Sequence, residues 1–304
     1  MILKVIFFII FIMYSFTLNA NEITPIPQQI TDVNPKKVKL GKKLFFDPIL
    51  SKNNTVACVN CHILSDGGDD NREFSIGING KIGNINSPTV LNARYNFVQF
   101  WDGRAKNLQD QASGPIENPI EMGNTFPNLI KTLKNSPYKK EFDSIYKDGI
   151  TKENITDAIA EYEKTLITPN APFDKYLRGD KNAITKMQKE GYELFKSKGC
   201  ISCHNGINIG GNLYAKFGVF KQAKSKSLGR YDITKNPLDK YFFKVPTLRN
   251  IALTSPYLHD GRYKSLNNVV KFMIEYQLGR KAKRDDIDKI AAFLLSLTGN
   301  IPKQ

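Results

Sequence analysis

The chain has 304 residues, 41% of them hydrophobic and 24% charged, with only three histidines and four cysteines. That apolar share supports packed cores, about two domains at roughly 150 residues each, and excludes collagen-like, disordered and polytopic membrane chains. Lys and Arg total 44 against 29 Asp and Glu, and the resulting charge of +15 would suit nucleic acid, an anionic membrane or an acidic protein partner without choosing among them.

Lys4 precedes an apolar run from Val5 to Phe16, followed by Thr17, Leu18, Asn19 and Ala20. The run is short of the ~20 residues of a spanning helix and reads as a signal peptide, residues 1–20, cleaved near Ala20. Export to the periplasm follows, with no stable membrane span after cleavage. Phe126, Leu129, Ile130 and Leu133 then fall at helical spacing behind Thr125 as a cap, and Ile155, Ala158, Ile159, Tyr162 and Leu166 repeat the pattern. Pro169, Pro172, Gly179 and Asp180 interrupt it, which places a domain boundary near 173/174. Thr185 and Gln188 form a capping box for a helix carrying Met187, Leu194 and Phe195, ended by Gly199. From Asn205 to Val245 no period is visible, as expected of a stretch that wraps a ligand. Leu266, Val269, Val270 and Met273 make one further stripe, and Ile287, Ile290, Ala291 and Leu294 another. The chain reads as mainly α.

An internal repeat organises these elements. Pro88-Thr89-Val90-Leu91-Asn92, then Trp101-Asp102-Gly103-Arg104 and Leu108, matches Pro246-Thr247-Leu248-Arg249-Asn250, then His259-Asp260-Gly261-Arg262 and Leu266. Upstream, Gly41, Leu44 and Phe45 match Gly191, Leu194 and Phe195. Ordered blocks in two halves point to a duplicated domain.

All four cysteines lie in Cys58-Val59-Asn60-Cys61-His62 and Cys200-Ile201-Ser202-Cys203-His204. CxxCH spacing lets two thiols add to the vinyl groups of one haem while the adjoining His reaches its iron. Local disulfides, redox pairs or a shared zinc site would use the thiols, but none explains a histidine after both pairs. Two haems with histidine on both faces would need four histidines, so at least one haem has a different or absent sixth ligand. Met122, Met187 and Met273 are the thioether candidates after cleavage, and Met273 follows the second motif on a helical stripe. Position alone leaves Met273 open between ligand and core filler.

The two motifs, with Gly67-Gly68-Asp69-Asp70-Asn71, Asn86-Ser87-Pro88-Thr89-Val90, Phe100-Trp101-Asp102-Gly103-Arg104, Leu248 through Thr254 and Pro256 through Gly261, resemble those of bacterial dihaem cytochrome c peroxidases over nearly the whole mature chain. The resemblance implies two cytochrome c-like domains related by internal duplication, residues 21–173 with a peroxidatic haem c and 174–304 with an electron-transferring haem c, and Ca²⁺ at their interface. It assigns Met273 as the second ligand of haem 2 beside His204, since Met273 through Gly279 matches the family's Met-x-x-x-Gln-Leu-Gly block. It places Gln111 and Glu121 on the distal side of haem 1, held by His62. Splitting peroxide needs a group that takes a proton from the near oxygen and returns it to the departing one, and a carboxylate suits this, with Gln111 as orienting partner. It sets Trp101 between the haems and gives calcium the side-chain amide of Asn86 and oxygens of Thr254 and Pro256, hard ligands suited to that ion.

His259 is expected to support the second site by hydrogen bonding, and Arg104, Arg249 and Arg262 are candidates for the haem propionates, with surface ion pairs as the simpler reading. One departure stands out. Sixteen residues beyond the proximal His, many family members carry a second histidine that ligates the resting peroxidatic haem, and here that position is Ile78. Ile cannot bind iron, so haem 1 is expected open at rest unless Asn79, Lys81 or a displaced His259 substitutes. The implied activity is reduction of hydrogen peroxide to water with electrons from a small redox protein such as cytochrome c, and a homodimer is compatible with it. A noncatalytic dihaem carrier or sensor is the alternative. Tryptophylquinone-maturing oxidases are disfavoured because they use tyrosine where Met273 stands, and no nucleic-acid motif is present.

Overall fold

Asn34 accepts the backbone N–H groups of Lys36 and Lys37, and Pro35 supplies a preset φ, so a helix starts there: α1 (Pro35–Phe46). It belongs to a computed structural model that describes residues 22–303; the expected signal peptide lies outside the described residues. The first half continues through α2 (Leu108–Glu117), α3 (Phe126–Lys134), α4 (Tyr138–Ile145) and α5 (Lys152–Glu163). The second contains α6 (Pro172–Leu177), α7 (Lys186–Lys198), β1 (Tyr214–Lys216), α8 (Tyr231–Thr234), β2 (Phe242–Lys244), α9 (Leu266–Phe272) and α10 (Arg284–Leu295). Two short strands pair antiparallel, Tyr214 opposite Lys244, and the fold is otherwise helical.

The predicted caps are in place. Thr125 caps α3, and Thr185 with Gln188 closes a reciprocal capping box on α7, which ends at Gly199 with φ +97°. Two expectations need correction. Leu166 lies beyond the end of α5, packing from the following loop, and Met187 is 44% exposed, so it belongs neither to a core nor to a cavity.

Each half is built on one helix pair, α1 against α5 and α7 against α10. A glycine permits each crossing: a Cβ on Gly41 would lie 1.8 Å from the carbonyl oxygen of Ala158, and one on Gly191 would lie 1.9 Å from that of Lys289. Gly41→Ala and Gly191→Ala are each expected to destabilise the protein by about 1–3 kcal/mol, because one helix must move off the other. Thermal unfolding of the holoprotein measures this. The first core gathers Leu40, Leu44, Leu129, Phe142 and Ile155, and the second Phe195, Ile287, Phe293 and Phe173. Phe173, which the sequence division leaves in the first half, thus packs in the second core.

The duplication is visible atom by atom. Thr89 donates to the carbonyl of Gly67 and accepts from the N–H of Leu91, as Thr247 does with Asn208 and Arg249. Asn92 and Asn250 both adopt left-handed backbone, φ 61° and 60°, a region Asn tolerates. Their side-chain amides converge on one buried hydroxyl, Thr168 Oγ1, at 2.7 and 3.0 Å. This shared contact ties the halves together where the repeat blocks meet, on the side away from solvent.

Candidate active site

Both CxxCH segments form the same tight turn. The N–H of His62 donates to the Cys58 carbonyl at 3.0 Å and that of His204 to the Cys200 carbonyl at 3.0 Å. Each imidazole then points Nδ1 at a backbone carbonyl, Gly68 at 3.1 Å for His62 and Ile209 at 3.4 Å for His204. A carbonyl can only accept, so Nδ1 carries the hydrogen and Nε2 keeps a free lone pair, the tautomer a metal ligand needs. Burial lowers the basicity of both rings, that of His204 to about 4, which keeps them neutral.

Two cavities open above these turns, about 180 Å³ in the first half and about 220 Å³ in the second. Cys58, Cys61 and His62 line the first, and Cys200, Cys203, His204 and Met273 the second. The cysteine pairs therefore occupy separate sites and cannot share one zinc. Among the described residues no cluster of three His, Cys, Asp or Glu side chains is placed to hold a metal ion. Burial also pushes the free thiols up, Cys61 and Cys200 to about 11. Paired thiols on an apolar wall beside a neutral imidazole fit covalent haem c in both cavities.

Met273 reaches the second cavity in helical register with Leu266, Val269 and Val270, which line it too, and from there α9 widens into a π turn over Met273–Gln277. Gln277 pins this turn to the unpatterned segment, accepting from the N–H of Gly218 at 2.9 Å and donating to the Lys216 carbonyl at 2.7 Å. That segment does wrap the cavity, contributing Lys216, Phe217, Phe243 and Lys244 to its wall.

In the first cavity, Glu121 and Gln111 both line the space above His62, brought together by α2 and the turn after it. The carboxylate of Glu121 accepts from Asn118 Nδ2 at 2.6 Å, so its orienting partner is Asn118 rather than the expected Gln111. Burial raises the Glu121 pKa against the opposing effects of Asn118 and Arg104. The loop carrying Ile78 is seated on this turn. The N–H of Ile78 donates to the Glu121 carbonyl at 2.7 Å, and a Cβ on Gly77 would lie 2.0 Å from the Ile120 carbonyl oxygen. Ile78 itself is 4% exposed, packs in the first core with Met122 and Phe126 and is not in the cavity wall.

The other expected substitutes are engaged elsewhere. Asn79 accepts from Asn53, Lys81 donates to the Pro119 carbonyl, and neither lines the cavity. His259 lines the second cavity, with Nε2 2.8 Å from Ser225 Oγ and its ring stacked on Phe243 at 4.2 Å. Among the described residues, His62 is therefore the one histidine lining the first cavity. Trp101 lines both cavities, fixed by its indole N–H on the Asn86 carbonyl at 2.9 Å and edge-on to His259 at 6.1 Å.

Asn86, Thr254 and Pro256 meet on the second cavity's wall beside Asp69, whose Oδ1 is buried without a partner. Burial pushes the Asp69 carboxyl up to about 7. The N–H of Asn86 donates to the His259 carbonyl at 2.8 Å, so this wall joins the two halves. Of the three arginines, only Arg104 lines a cavity, stacked 3.5 Å over Phe100 and paired with Asp102. Arg249 is consumed by a fully buried pair with Asp174 at 2.6 Å, and Arg262 is held by Asp260. Three charged residues that the sequence reading passed over are in the cavity walls instead: Glu163 in the first, its carboxyl pushed up to about 8 by burial, and exposed Lys216 and buried Lys244 in the second.

Comparison with known proteins identifies relatives of both halves. Residues 35–182 match the model of the di-haem cytochrome c peroxidase family, and residues 188–298 that of cytochrome c. The chain is 49% identical over 284 residues to cytochrome c peroxidase Ccp of Escherichia coli, covering 91% of this chain and 61% of that protein. It is 50% identical over 288 residues to cytochrome c551 peroxidase of Nitrosomonas europaea, covering 93% of this chain and 86% of the relative. A solved MauG-like protein associated with microbial copper homeostasis shares the fold, with TM-score 0.80 at 23% identity over 94% of this chain and 96% of that one. The chain belongs to the di-haem cytochrome c peroxidase family, oxidoreductases of the peroxidase class, with one covalently attached haem c in each half.

Proposed function

We propose that the protein reduces hydrogen peroxide to water in the periplasm, using electrons from a small redox protein of the cytochrome c kind. The observation that carries this reading is a cavity with one histidine, His62, and a half-buried carboxylate, Glu121, lining the same space. Haem 1 on His62 would supply the site of O–O reduction, and haem 2 on His204 and Met273 an electron store. Peroxide consumes two electrons and two protons to give two waters. Glu121 takes the proton from the near oxygen and returns it to the departing one, held by Asn118 and backed by Gln111. Trp101, packed between the cavities, fixes the relative position of the two haems and offers an aromatic path between them.

Calcium fits the wall of Asn86, Thr254 and Pro256, where the bare oxygen of Asp69 adds a hard donor or an acceptor for a coordinated water. It would brace the junction of the halves. Haem 1 is open at rest in this reading, because Ile78 is buried in the first core and the loop residues that do line the cavity, Ser75, Gly77, Gly83, Asn84 and Ile85, include no His, Met, Cys or Lys to ligate iron.

Peroxide consumption with reduced cytochrome c, started from fully oxidised and from half-reduced enzyme, tests the reading. Equal initial rates without a lag are expected. Absence of turnover with calcium and several reduced donors would make the protein a dihaem carrier or sensor instead.

A further inference from the structure

Lys244 sits at the end of β2, its N–H donating to the Trp101 carbonyl at 2.8 Å, and it is 5% exposed. It lines the second cavity. Among the described residues no hydrogen bond or ion pair engages its ammonium, and Asp69, the one carboxylate lining that cavity, does not pair with it. A buried cation left so costs several kcal/mol unless an anion meets it. The chain therefore holds a positive charge ready on the wall of a haem cavity, and the haem group brings two carboxylates. The arginines that might have served them are spent: Arg249 on Asp174 and Arg262 on Asp260, neither in the cavity wall.

We propose that Lys244 is the cationic partner of a propionate of haem 2 on the side of Trp101, and that its charge holds this haem at a more positive potential. Lys244 is thus a positioning residue. A positive charge near the ring favours the ferrous state, which is one electron richer, and the low dielectric of a closed cavity strengthens the effect. It also fixes the edge of haem 2 against the tryptophan that both cavities share. Burial lowers the basicity of the free amine, to about 8, which a carboxylate partner would reverse.

The inference rests on haem 2 filling this cavity, and a Cys200→Ser, Cys203→Ser variant tests that separately by dropping haem content from two per chain to one. For Lys244 itself, spectroelectrochemistry of the holoprotein compares Lys244→Met and Lys244→Arg with wild type. Lys244→Met is expected to lower the ferrous-to-ferric ratio of haem 2 at fixed potential about tenfold, 59 mV for a one-electron couple, leaving haem 1 in place. Lys244→Arg keeps the charge and stays within about twofold, while moving the propionate bending mode in resonance Raman because a guanidinium replaces the ammonium. An unmoved haem 2 couple in Lys244→Met, or equal shifts in both variants, would overturn the proposal. If the Met variant does not mature, an unmoved propionate mode in Lys244→Arg overturns it alone.

Discussion

Glu121→Gln is expected to lower peroxide turnover by about 10²–10⁴-fold with both haems still attached. The substitution preserves volume and a hydrogen-bonding contact with Asn118, which now reaches Glu121 at 2.6 Å, but removes the group that can accept and return a proton. The pH profile separates this from a packing effect. Burial raises the Glu121 pKa above the ordinary carboxylate value. The base form exists above that pKa, so wild-type kcat/KM should fall as pH drops through it, and the Gln variant should lose that acidic limb. Stopped-flow peroxide reduction at several pH values checks both features. A variant with wild-type turnover would remove Glu121 from the proton path.

The second large effect is expected from Ile78→His. Ile78 anchors its loop by burying an apolar side chain beside Met122, while its N–H holds the carbonyl of Glu121. An imidazole gains less from that apolar pocket and has an alternative in the iron of haem 1, reached only if the loop leaves the Glu121 turn. One substitution thus adds a ligand and disturbs the proposed distal base. Fully oxidised Ile78→His should show more low-spin haem 1 and lower peroxide activity, by about tenfold for each 1.4 kcal/mol favouring the ligated state. Half-reduction should recover activity if it releases the ligand. Optical spectra with activity before and after one-electron reduction measure this. Unchanged spin state and activity would show that the loop's seat on Glu121 outweighs ligation.

Much of the fold was legible because its determinants are local. The capping box of Thr185 and Gln188, the glycines at 41 and 191 and the paired proline blocks are read directly from spacing. The haem-bearing turns were equally clear, since CxxCH sets three groups within five residues. Less legible were side chains whose meaning depends on what folds over them. Lys244 sits within Phe242-Phe243-Lys244-Val245, where a cation in an apolar run is the only clue. Glu163 ends α5 as an acid beside buried Tyr162, and only the tertiary fold shows that it faces a cavity. Asn118, next to Pro119, carries no sequence signal of its own and proves to hold Glu121. Conversely, Arg249 was available to a haem by sequence, but Asp174 claims it in the buried interior.

The central claim is that burial of Ile78 leaves haem 1 without a protein ligand on its distal side while Met273 closes haem 2. Electron paramagnetic resonance of the fully oxidised wild-type holoprotein tests it most directly, because each haem's spin state reports its axial ligands. The proposed ligation predicts one high-spin ferric haem, assigned to His62 by its loss in a Cys58→Ser, Cys61→Ser variant, and one low-spin His/Met haem. Two low-spin haems at rest would contradict the account.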